Sequence, residues 1–501
     1  MAEEVELKLA LTDEHQSRFL RHPLLRQAVS RHVEPLDNIY YDTANLALYR
    51  RGIALRLRRR GRDWLQTVKL AGSSVAGLST RPEWETPYAG HFDFSSIDDA
   101  GLRQWLQRPA LLARIVPVCE TRFRRVTWKF AAAPGAVLLT LDRGWIIANG
   151  RREAISEVEL ELSGAPVHAI FGIASQLAQR ISLTPSVLSK AERGYRLHLG
   201  VAPAPVKAGT VALGANMAPL EAFRHIALSC LEHLQQNHHG ALTSDDPEYI
   251  HQMRVAARRM RAALRLFAPV LPESLVASLR TPLVALARQL GRARDLDVLL
   301  DEIATPVLRA LPSEPRLPAL AGDITNRRYT ARAEAIALLA APDYGRNLLA
   351  ALESLHPAPA TEAITLPLRS FASERLRRLR NKLRWLAATA SVDDPASLHA
   401  LRIATKRLRY ALEFFSPLAP KRAMDGLLKH LAGVQDTLGQ LNDLTNAGAL
   451  LMDCAGEDPR LREAVTLIGG WHGPRYARLL ESIAPELGRL ARLRLPRLAA
   501  G

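Results

Sequence analysis

Glu4-Val5-Glu6-Leu7-Lys8 is the stretch of sequence that decides how the first part of the chain is interpreted. At the two-residue period of a β-strand, its two carboxylates and its ammonium group share one face, while Val5 and Leu7 lie on the other. A strand usually turns its polar face to water. The segments that follow indicate whether this charged face lines a cavity instead.

Later segments within residues 1–200 repeat this alternation, and most of them carry like charges on one face. The charged faces contain Arg56 and Arg58, Lys69, Arg81 with Glu83 and Glu85, Arg122 and Arg124, Asp142, and Glu157, Glu159 and Glu161. Aligned carboxylates repel one another on a solvated strand, whereas a divalent cation binds them together with substrate phosphates. Arginine side chains bind phosphate oxygens bidentately. We therefore expect an antiparallel β-barrel that turns these faces inward, around a metal-complexed oligophosphate.

Composition sets the broad class of the protein. The chain has 501 residues, of which 48% are hydrophobic and 23% are charged, as expected for a globular protein with at least two domains. No apolar run approaches the roughly 18 residues of a membrane helix, and no secretory segment is apparent, so we expect a cytoplasmic protein without a membrane partner. Three cysteines without a Cys-x-x-Cys motif argue against a disulfide scaffold or zinc knuckle. The net charge of +17 predicts anionic partners.

The sequence changes character after residue 200. Residues 201–215 are rich in proline and small residues and are predicted to be a linker. Residues 216–495 have helical spacing of Leu, Ala and Arg, and we expect an all-α domain there. This part contains an internal duplication at a constant separation of 148 residues, with repeats at about 216–345 and 364–490. The predicted fold class is α+β, with a β-barrel domain followed by two pseudo-symmetric helical bundles.

Each helical repeat carries a stripe of basic side chains. At about 100° per residue, the repeated positions fall mainly on one side of a helix. The stripes consist of His251, Arg254, Arg258 and Arg259 in the first repeat and His399, Arg402, Lys406 and Arg407 in the second. A single basic stripe is usually just a solvated face, but its repetition, with no acid between residues 249 and 265, favours a bound polyanion. The stripes lack the interleaved aromatic residues of single-strand binders, so we expect a phosphate chain and no specific nucleic acid.

The first part of the chain resembles the CYTH family, the triphosphate tunnel metalloenzymes, over about residues 3–198. The resemblance rests on a set of short motifs in the expected order: Glu4-x-Glu6-x-Lys8, Tyr40-Tyr41-Asp42-Thr43, Leu55-Arg56-Leu57-Arg58, Thr67-Val68-Lys69, Arg81-x-Glu83-x-Glu85, Glu157-x-Glu159-x-Glu161 and Ser189-Lys190-x-x-Arg193-Gly194-Tyr195. It leaves open which of Arg122, Arg124 and Arg125 serves the site.

The second part resembles the CHAD family over about residues 216–490. The matching motifs are His251-x-x-Arg254-x-x-x-Arg258-Arg259 and His399-x-x-Arg402-x-x-x-Lys406-Arg407. Lys406 departs from the arginine of the first repeat, so the charge is kept but not the bidentate geometry. This resemblance implies binding of inorganic polyphosphate rather than catalysis, and the two domains together resemble bacterial inorganic triphosphatases.

The main functional hypothesis is hydrolysis of inorganic triphosphate with Mg²⁺ or Mn²⁺. The metal ligands would be Glu4, Glu6, Asp142, Glu157, Glu159 and Glu161. The phosphates would be bound by Lys8, Arg56, Arg58, Lys69, Arg81, Arg122, Arg124, Lys190 and Arg193. Of these we expect Lys8, Arg56, Arg58, Lys69, Arg122 and Lys190 to be catalytic, with Glu83 or Glu85 orienting the water. The alternatives are cyclisation of ATP, hydrolysis of thiamine triphosphate, or a polyphosphate-binding scaffold without activity.

Overall fold

The computed structural model describes residues 2–70, 73–75, 77–356 and 366–498, and it gives the backbone but not the side chains of residues 2–4, 73–75 and 81. Contacts between Cα atoms divide the chain into two units. The first contains Met1–Ala204 and Ala340–Ala360, and the second contains Pro205–Leu339 and Thr361–Gly501. The segment Ala340–Ala360 thus belongs to the first unit, although its sequence lies within the predicted helical domain.

The first unit is built on one antiparallel sheet. The strands described are β1 (Ala2–Leu11), β2 (Ser30–Thr43), β3 (Ile53–Arg60), β4 (Asp63–Leu70), β5 (Ser73–Val75), β6 (Leu78–Pro87), β7 (Ile115–Ala132), β8 (Gly135–Ala148), β9 (Arg151–Ser163) and β10 (Leu183–Pro185). They pair in the order β1-β9-β8-β7-β2-β3-β4-β6, and β6 pairs again with β1. This last pairing closes the curled sheet, so the predicted antiparallel barrel is confirmed.

Alternation along β1 explains why the sheet closes around charged groups. Leu7 and Leu9 are fully buried on one face, while Glu6 and Lys8 are buried on the other. Burying apolar area on the outer face of the barrel stabilises the fold by roughly 25 cal/mol per Å². Other elements must cover that face for the area to be buried. The charged face is then left to the interior of the barrel.

Helices account for the rest of the described elements. Those before the second unit are α1 (Asp13–Leu20), α2 (Ala100–Leu106), α3 (Pro109–Leu112), α4 (His168–Ala178) and α5 (Lys190–Leu199). They are followed by α6 (Pro219–Thr243), α7 (Pro247–Phe267), α8 (Glu273–Val298), α9 (Thr305–Ala310), α10 (Arg316–Ala340), α11 (Pro342–Leu355), α12 (Leu368–Thr389), α13 (Pro395–Phe414), α14 (Lys421–Ala455) and α15 (Pro459–Ala491). A π-helical stretch, Leu299–Ala304, joins α8 to α9. None of the helices in the described ranges is long and apolar enough to cross a membrane.

Helix α11 belongs to the first unit through close packing on the barrel side. It contacts α4 and β10. A Cβ atom on Gly345 would lie 2.0 Å from the carbonyl oxygen of Leu183 in β10, so only glycine allows this approach. Leu348, Leu349 and Leu352 of the same helix are buried.

In the second unit, the duplicated sequences form equivalent helices. In each repeat an Asp-Pro pair begins a helix: Asp246 caps α7 by accepting from Glu248 N at 2.9 Å, and Asp394 caps α13 by accepting from Ala396 N at 3.0 Å. The repeats meet through aromatic side chains at equivalent positions, since Phe267 lies 5.7 Å from Phe415 between ring centroids. The predicted helical domain of two pseudo-symmetric bundles is confirmed.

Candidate functional site

The barrel contains a cavity of about 390 Å³, lined by side chains of the strands and of α5. Its charged and polar residues include Glu6, Lys8, Asn38, Arg56, Arg58, Lys69, Ser79, Arg125, Glu159, Glu161 and Lys190. Phe123 and three tyrosines, Tyr40, Tyr49 and Tyr195, form its aromatic surface. The charged faces of the strands therefore meet inside the first unit.

Asp142, Glu157 and Glu159 form a buried group that we call the acidic cluster. The pairing of β8 with β9 creates it, because Asp142 lies opposite Glu157 and Thr140 lies opposite Glu159. Each carboxylate offers one oxygen, and these oxygens lie within 4.8 Å of one another. Carboxylate oxygens are the ligands that hard divalent cations prefer, so the acidic cluster could hold a metal ion.

Lys190 and Arg125 neutralise the acidic cluster. Lys190 Nζ lies 2.7 Å from Asp142 Oδ2 and 3.0 Å from Glu159 Oε1, and it also contacts Glu157. Arg125 donates to both oxygens of Asp142, at 2.7 and 2.6 Å, and to Glu159 Oε2 at 2.7 Å. Burial acts to lower the pKa of Lys190, but the three carboxylates outweigh it and raise that pKa. Burial likewise acts to raise the pKa of Glu159, yet Lys190 and Arg125 hold it well below its ordinary value.

The start of helix α5 places Lys190 in the cavity wall. Ser189 and Glu192 form a capping box: Glu192 N donates to Ser189 Oγ at 3.2 Å, and Ser189 N donates to Glu192 Oε2 at 2.8 Å. One turn later, a Cβ atom on Gly194 would lie 2.4 Å from Cys119 Sγ of β7. The helix therefore approaches the barrel at a distance that only glycine permits, and this approach fixes the position of Lys190.

A second part of the wall carries arginines in close proximity. Arg58 Nε donates to Asn38 Oδ1 at 3.1 Å, and Asn38 in turn donates to Thr121 Oγ1 at 2.9 Å. Repulsion by Arg56, followed by burial, lowers the pKa of Arg58 to about 10. Like charges held together in this way favour a bound anion.

Carboxylates of β6 hold the cations of β3 and β4. Lys69 Nζ lies 2.9 Å from Glu83 Oε2, and Arg56 Nη2 lies 3.6 Å from Glu83 Oε1 and 3.9 Å from Glu85 Oε2. Thr67 Oγ1 accepts from Arg56 at 3.1 Å and donates to Glu85 at 3.1 Å. Glu83 and Glu85 therefore lie beside the phosphate-binding candidates, and the predicted role of either one in orienting the water stays a prediction.

The remaining predicted residues are distributed around the acidic cluster. Lys8 Nζ donates to Glu6 Oε1 at 2.5 Å within the cavity wall. Glu161 also lines the cavity and lies opposite Glu6 in the pairing of β1 with β9. Arg193 bonds Glu153 at 2.6 Å and Glu157 at 3.2 Å, so it acts on the acidic cluster through Glu157.

The prediction that Arg122 and Arg124 of strand β7 face the cavity is wrong. The side chains of Arg122 and Arg124 are exposed on the outer face of the barrel, and Arg122 donates to Glu120 there at 2.8 Å. The residues of β7 that face the cavity are Phe123 and Arg125. The reason is parity, because a strand presents alternate residues to each face, and the pairing of Arg125 with Asp142 fixes which set turns inward.

Two further predictions fall on side chains that lie outside the described part of the chain. Glu4 and Arg81 belong to β1 and β6, and their backbones are direct partners in the pairing that closes the barrel. Their proposed roles as a metal ligand and a phosphate ligand stay predictions.

Asp42 and Tyr195, both from the recognised motifs, shape the cavity rather than bind charge within it. Asp42 is fully buried and accepts from the backbone N–H groups of Leu48 and Tyr49, each at 2.9 Å. Tyr195 Oη donates to the same carboxylate at 3.2 Å. Burial and then Asp42 raise the pKa of Tyr195, which keeps it a hydrogen-bond donor.

In the second unit, four predicted cations from the two repeats lie close enough to influence one another. We call Arg254, Arg258, Arg402 and Lys406 the interhelix basic cluster, since they come from the contacting helices α7 and α13. Burial, followed by the charges of Arg258, Arg402 and Arg254, lowers the pKa of Lys406 to about 7. Arg254 Nη2 lies 3.1 Å from Asp295 Oδ1, an acid near the cluster.

The other stripe residues divide between ligand-accessible and structural positions. His399 is exposed and its Nδ1 lies 2.8 Å from Asn442 Oδ1, while Arg407 is also exposed. The pKa of His251 is lowered, mainly by burial. Arg259 is buried: its guanidinium bonds Glu413 at 3.0 Å and lies 5.2 Å from the centre of the Phe414 ring. This corrects its assignment to the basic surface, because its charge is already neutralised inside the bundle.

Comparisons with known proteins agree with this architecture. The family model for the CYTH domain matches residues 2–195, and the model for the CHAD domain matches residues 225–452. An inorganic triphosphatase from Haemophilus influenzae is 30% identical over 198 residues, which is 39% of this chain and 55% of that protein. The match therefore spans about half the length of this relative.

A solved structure supports the assignment of the helical part. The CHAD domain from the plant Ricinus communis is 34% identical, with a TM-score of 0.50, and the match covers 60% of this chain and all of that one. The barrel with its charged interior and the duplicated helical unit thus correspond to the two matched families. The chain carries a CYTH domain followed by a CHAD domain.

Proposed function

We propose that the first unit hydrolyses inorganic triphosphate to pyrophosphate and phosphate in the barrel cavity. The observation that carries this proposal is one cavity of about 390 Å³ whose wall brings Arg56, Arg58 and Lys69 together with Glu159, the member of the acidic cluster that lines it. Cations alone would suffice to bind an anion, whereas buried carboxylates beside them suit a metal-bound phosphate chain. The similarity to an inorganic triphosphatase over 198 residues adds support.

The basic residues of the cavity bind and orient the phosphate chain. Arginine guanidinium groups at β3 grip non-bridging oxygens bidentately, and Lys69 adds a point charge. Glu83 and Glu85 hold Arg56 and Lys69 in place, and either carboxylate could orient the attacking water. Catalysis would come from positioning and electrostatic stabilisation, without a covalent nucleophile.

The acidic cluster fits a divalent cation such as Mg²⁺ or Mn²⁺, because its hard oxygens lie within coordination reach of one another. Glu6 and Glu161, which are cross-strand partners on the same wall, are further candidate ligands. When bound, the ion would neutralise charge on the transferred phosphoryl group. Lys190 and Arg125 keep Glu159 ionised, since they hold its pKa well below the ordinary value.

Phosphate release from full-length protein with triphosphate and Mg²⁺ tests the proposal. We expect activity to disappear with a chelator and to fall at least about 100-fold in the Glu157→Gln, Glu159→Gln double variant, the order seen when electrostatic partners of a transition state are lost. The matched control removes two exposed carboxylates, Glu14→Gln with Glu120→Gln. Undiminished activity in the first variant would reject the site.

The same assay compares substrates. We expect inorganic triphosphate to be turned over faster than ATP or thiamine triphosphate, because the described cavity wall offers charged groups for each phosphate. Faster turnover of ATP, with cyclic AMP as product, would refute the proposal and assign adenylate cyclase activity instead. Tight binding of triphosphate without phosphate release, with any divalent metal, would favour a scaffold.

For the second unit we propose binding of inorganic polyphosphate at the interhelix basic cluster, together with His251, His399 and Arg407. The observation that supports it is the contact of helices α7 and α13, which brings Arg254 and Arg258 near Arg402 and Lys406; burial and these arginines together lower the pKa of Lys406. We expect the Arg254→Ala, Arg402→Ala variant to elute from a polyphosphate matrix at clearly lower salt. Arg377→Ala with Arg460→Ala, both exposed on other helices, is the control. Equal retention of both variants would refute the assignment.

A further inference from the structure

The outer face of the barrel carries a second concave site, separate from the cavity. It lies beside α1, on the outward side of β7, β8 and β9, and has a volume of about 790 Å³. Its floor is apolar and buried, formed by Val126 and Leu141. We call it the outer groove. Its volume lies within the range of sites for small organic ligands.

The outer groove is lined by three arginines, Arg31, Arg124 and Arg143. All three are exposed, and within the described residues none of them makes an ion pair. Arg122, on the same face of β7, instead pairs with Glu120 at 2.8 Å. Arg124 and Arg143 are direct cross-strand partners, an arrangement that is destabilising for like charges. An anion between them would remove that repulsion.

The acid that lines the groove does not compete for these arginines. Asp13 Oδ1 accepts from Gln16 Nε2 at 2.6 Å, and Gln16 also donates to Ser156 Oγ at 2.7 Å. The carboxylate is thus tied to helix α1 and β9. The groove as a whole keeps an excess of positive charge.

An aromatic side chain completes the groove. Trp145 lines it and is 49% exposed, which is unusual for so large an apolar surface on a strand. It follows Arg143 by two residues on β8, so the indole and the guanidinium share one face. An exposed indole offers a flat surface on which another flat ring system can stack.

We infer that the outer groove binds a small ligand of the nucleotide class, with the base against Trp145 and the phosphates on Arg124, Arg143 and Arg31. An inorganic phosphate chain would leave the apolar floor and the indole unused. A neutral aromatic compound would leave the arginines unpaired. A volume of about 790 Å³ fits one small molecule rather than a macromolecule, and the site does not depend on the activity proposed for the cavity.

Calorimetric titration of full-length protein with ADP tests the inference. Because ADP could also enter the cavity, the titration is repeated on the Arg56→Ala, Arg58→Ala variant, which should keep the ADP binding of the outer groove; the groove substitutions are compared in this background. Arg124→Ala with Arg143→Ala should weaken binding at least about tenfold, and Trp145→Ala about fivefold or more, as loss of a stacking contact predicts. Arg122→Ala, next to the groove but paired with Glu120, is the matched control and should change nothing.

Adenosine and pyrophosphate serve as half-ligands, titrated into the Arg56→Ala, Arg58→Ala variant so that the cavity does not contribute to the binding. Each should bind the outer groove at least about tenfold more weakly than ADP, since each satisfies only one half of the site. The inference fails if the unmodified protein does not bind ADP, if the groove variants bind it unchanged, or if the cavity variant abolishes binding. Pyrophosphate as tight as ADP would show a simple anion site and would equally overturn it.

Discussion

At the scale of single residues, Arg125 is the side chain on which the acidic cluster depends most directly. It bonds Asp142 twice and Glu159 once, and only 15% of its side chain is exposed. Removing one partner from a buried ion pair leaves charge without compensation and is costly. Its neighbours Arg122 and Arg124 face the outside and have no such role.

We therefore predict opposite outcomes for two neighbouring substitutions. Arg125→Ala should lower the free energy of unfolding by about 3–5 kcal/mol and abolish most triphosphate hydrolysis, because Asp142 and Glu159 lose their bidentate donor. Arg122→Ala should stay within about 0.5 kcal/mol of the unmodified protein with normal turnover. Urea unfolding and phosphate release measure both. A larger loss of activity in the Arg122 variant would show that the strand face is assigned the wrong way round.

A second prediction concerns pH. Lys406 has a pKa of about 7 because of burial and the cations Arg258, Arg402, Arg254 and Arg409; the nearby carboxylates Asp295 and Asp443 face the same arginines. A polyanion favours the protonated amine. Polyphosphate affinity should therefore be full below pH 7 and should fall as the pH rises above it, where binding has to protonate Lys406.

The measurement is the dissociation constant for polyphosphate between pH 6 and 9, at constant ionic strength. Lys406→Arg should keep its charge throughout and flatten the profile, whereas Lys406→Met should be weak at every pH. An unchanged slope in the arginine variant would assign the titration to another group, such as His251.

At the scale of elements, helix α5 shows how a short motif positions a catalytic candidate. Its capping box fixes where the helix begins, so Lys190 takes the first helical position. Gly194 then sets the distance to the barrel wall at Cys119. The helix is thus held at its start and at its contact with β7, and the ammonium group lies between three carboxylates as a result.

Gly194→Ala should disturb this arrangement. The new methyl group would come within 2.4 Å of Cys119 Sγ, and relieving such a clash costs about 1–3 kcal/mol. Activity should fall together with stability, since moving α5 also moves Lys190. Gly172→Ala in α4, where a Cβ meets nothing within 4 Å, is the matched control and should be neutral or stabilising. Thermal unfolding and turnover of the two variants decide the question.

The elements also show what the sequence can and cannot predict. Alternating patterns predicted the barrel because they depend on local spacing. The 148-residue duplication predicted the paired helices because a repeated sequence folds into a repeated structure. The inward parity of β7 was ambiguous, since Arg122, Arg124 and Arg125 offer charge on both faces and only pairing with Asp142 selects one. Arg259 carries the same charge as Arg258. Its burial depends on a tertiary ion pair with Glu413, which the sequence motif does not predict.

At the scale of the whole molecule, the division into units differs from a simple order along the chain. The segment Ala340–Ala360 belongs to the first unit, although its helical pattern is indistinguishable from that of its neighbours. Amphipathic spacing shows that a helix has an apolar face, but not which surface covers it. For α11, the covering surface is identified by a tertiary contact, the close approach of Gly345 to Leu183.

A fragment ending at Ala204 should therefore be less stable than the complete first unit, because α4 and β10 lose their contact with α11. A synthetic peptide of residues 341–356, added in excess, should raise its melting temperature in a concentration-dependent way. The same peptide with Gly345→Val should have no effect, since its side chain would collide with the Leu183 carbonyl. Equal stabilisation by both peptides would refute the packing described for α11.

The course of the backbone through the two units also bears on how the protein would respond to a protease. The chain leaves the first unit at Ala204, returns to it at Ala340 and leaves it again at Ala360. A single cleavage between residues 201 and 218 would not separate the two fragments. Helix α11 would still pack against β10 and α4, and it would remain covalently attached to the second unit. Such nicked material should migrate as intact protein on a sizing column and come apart only in denaturant.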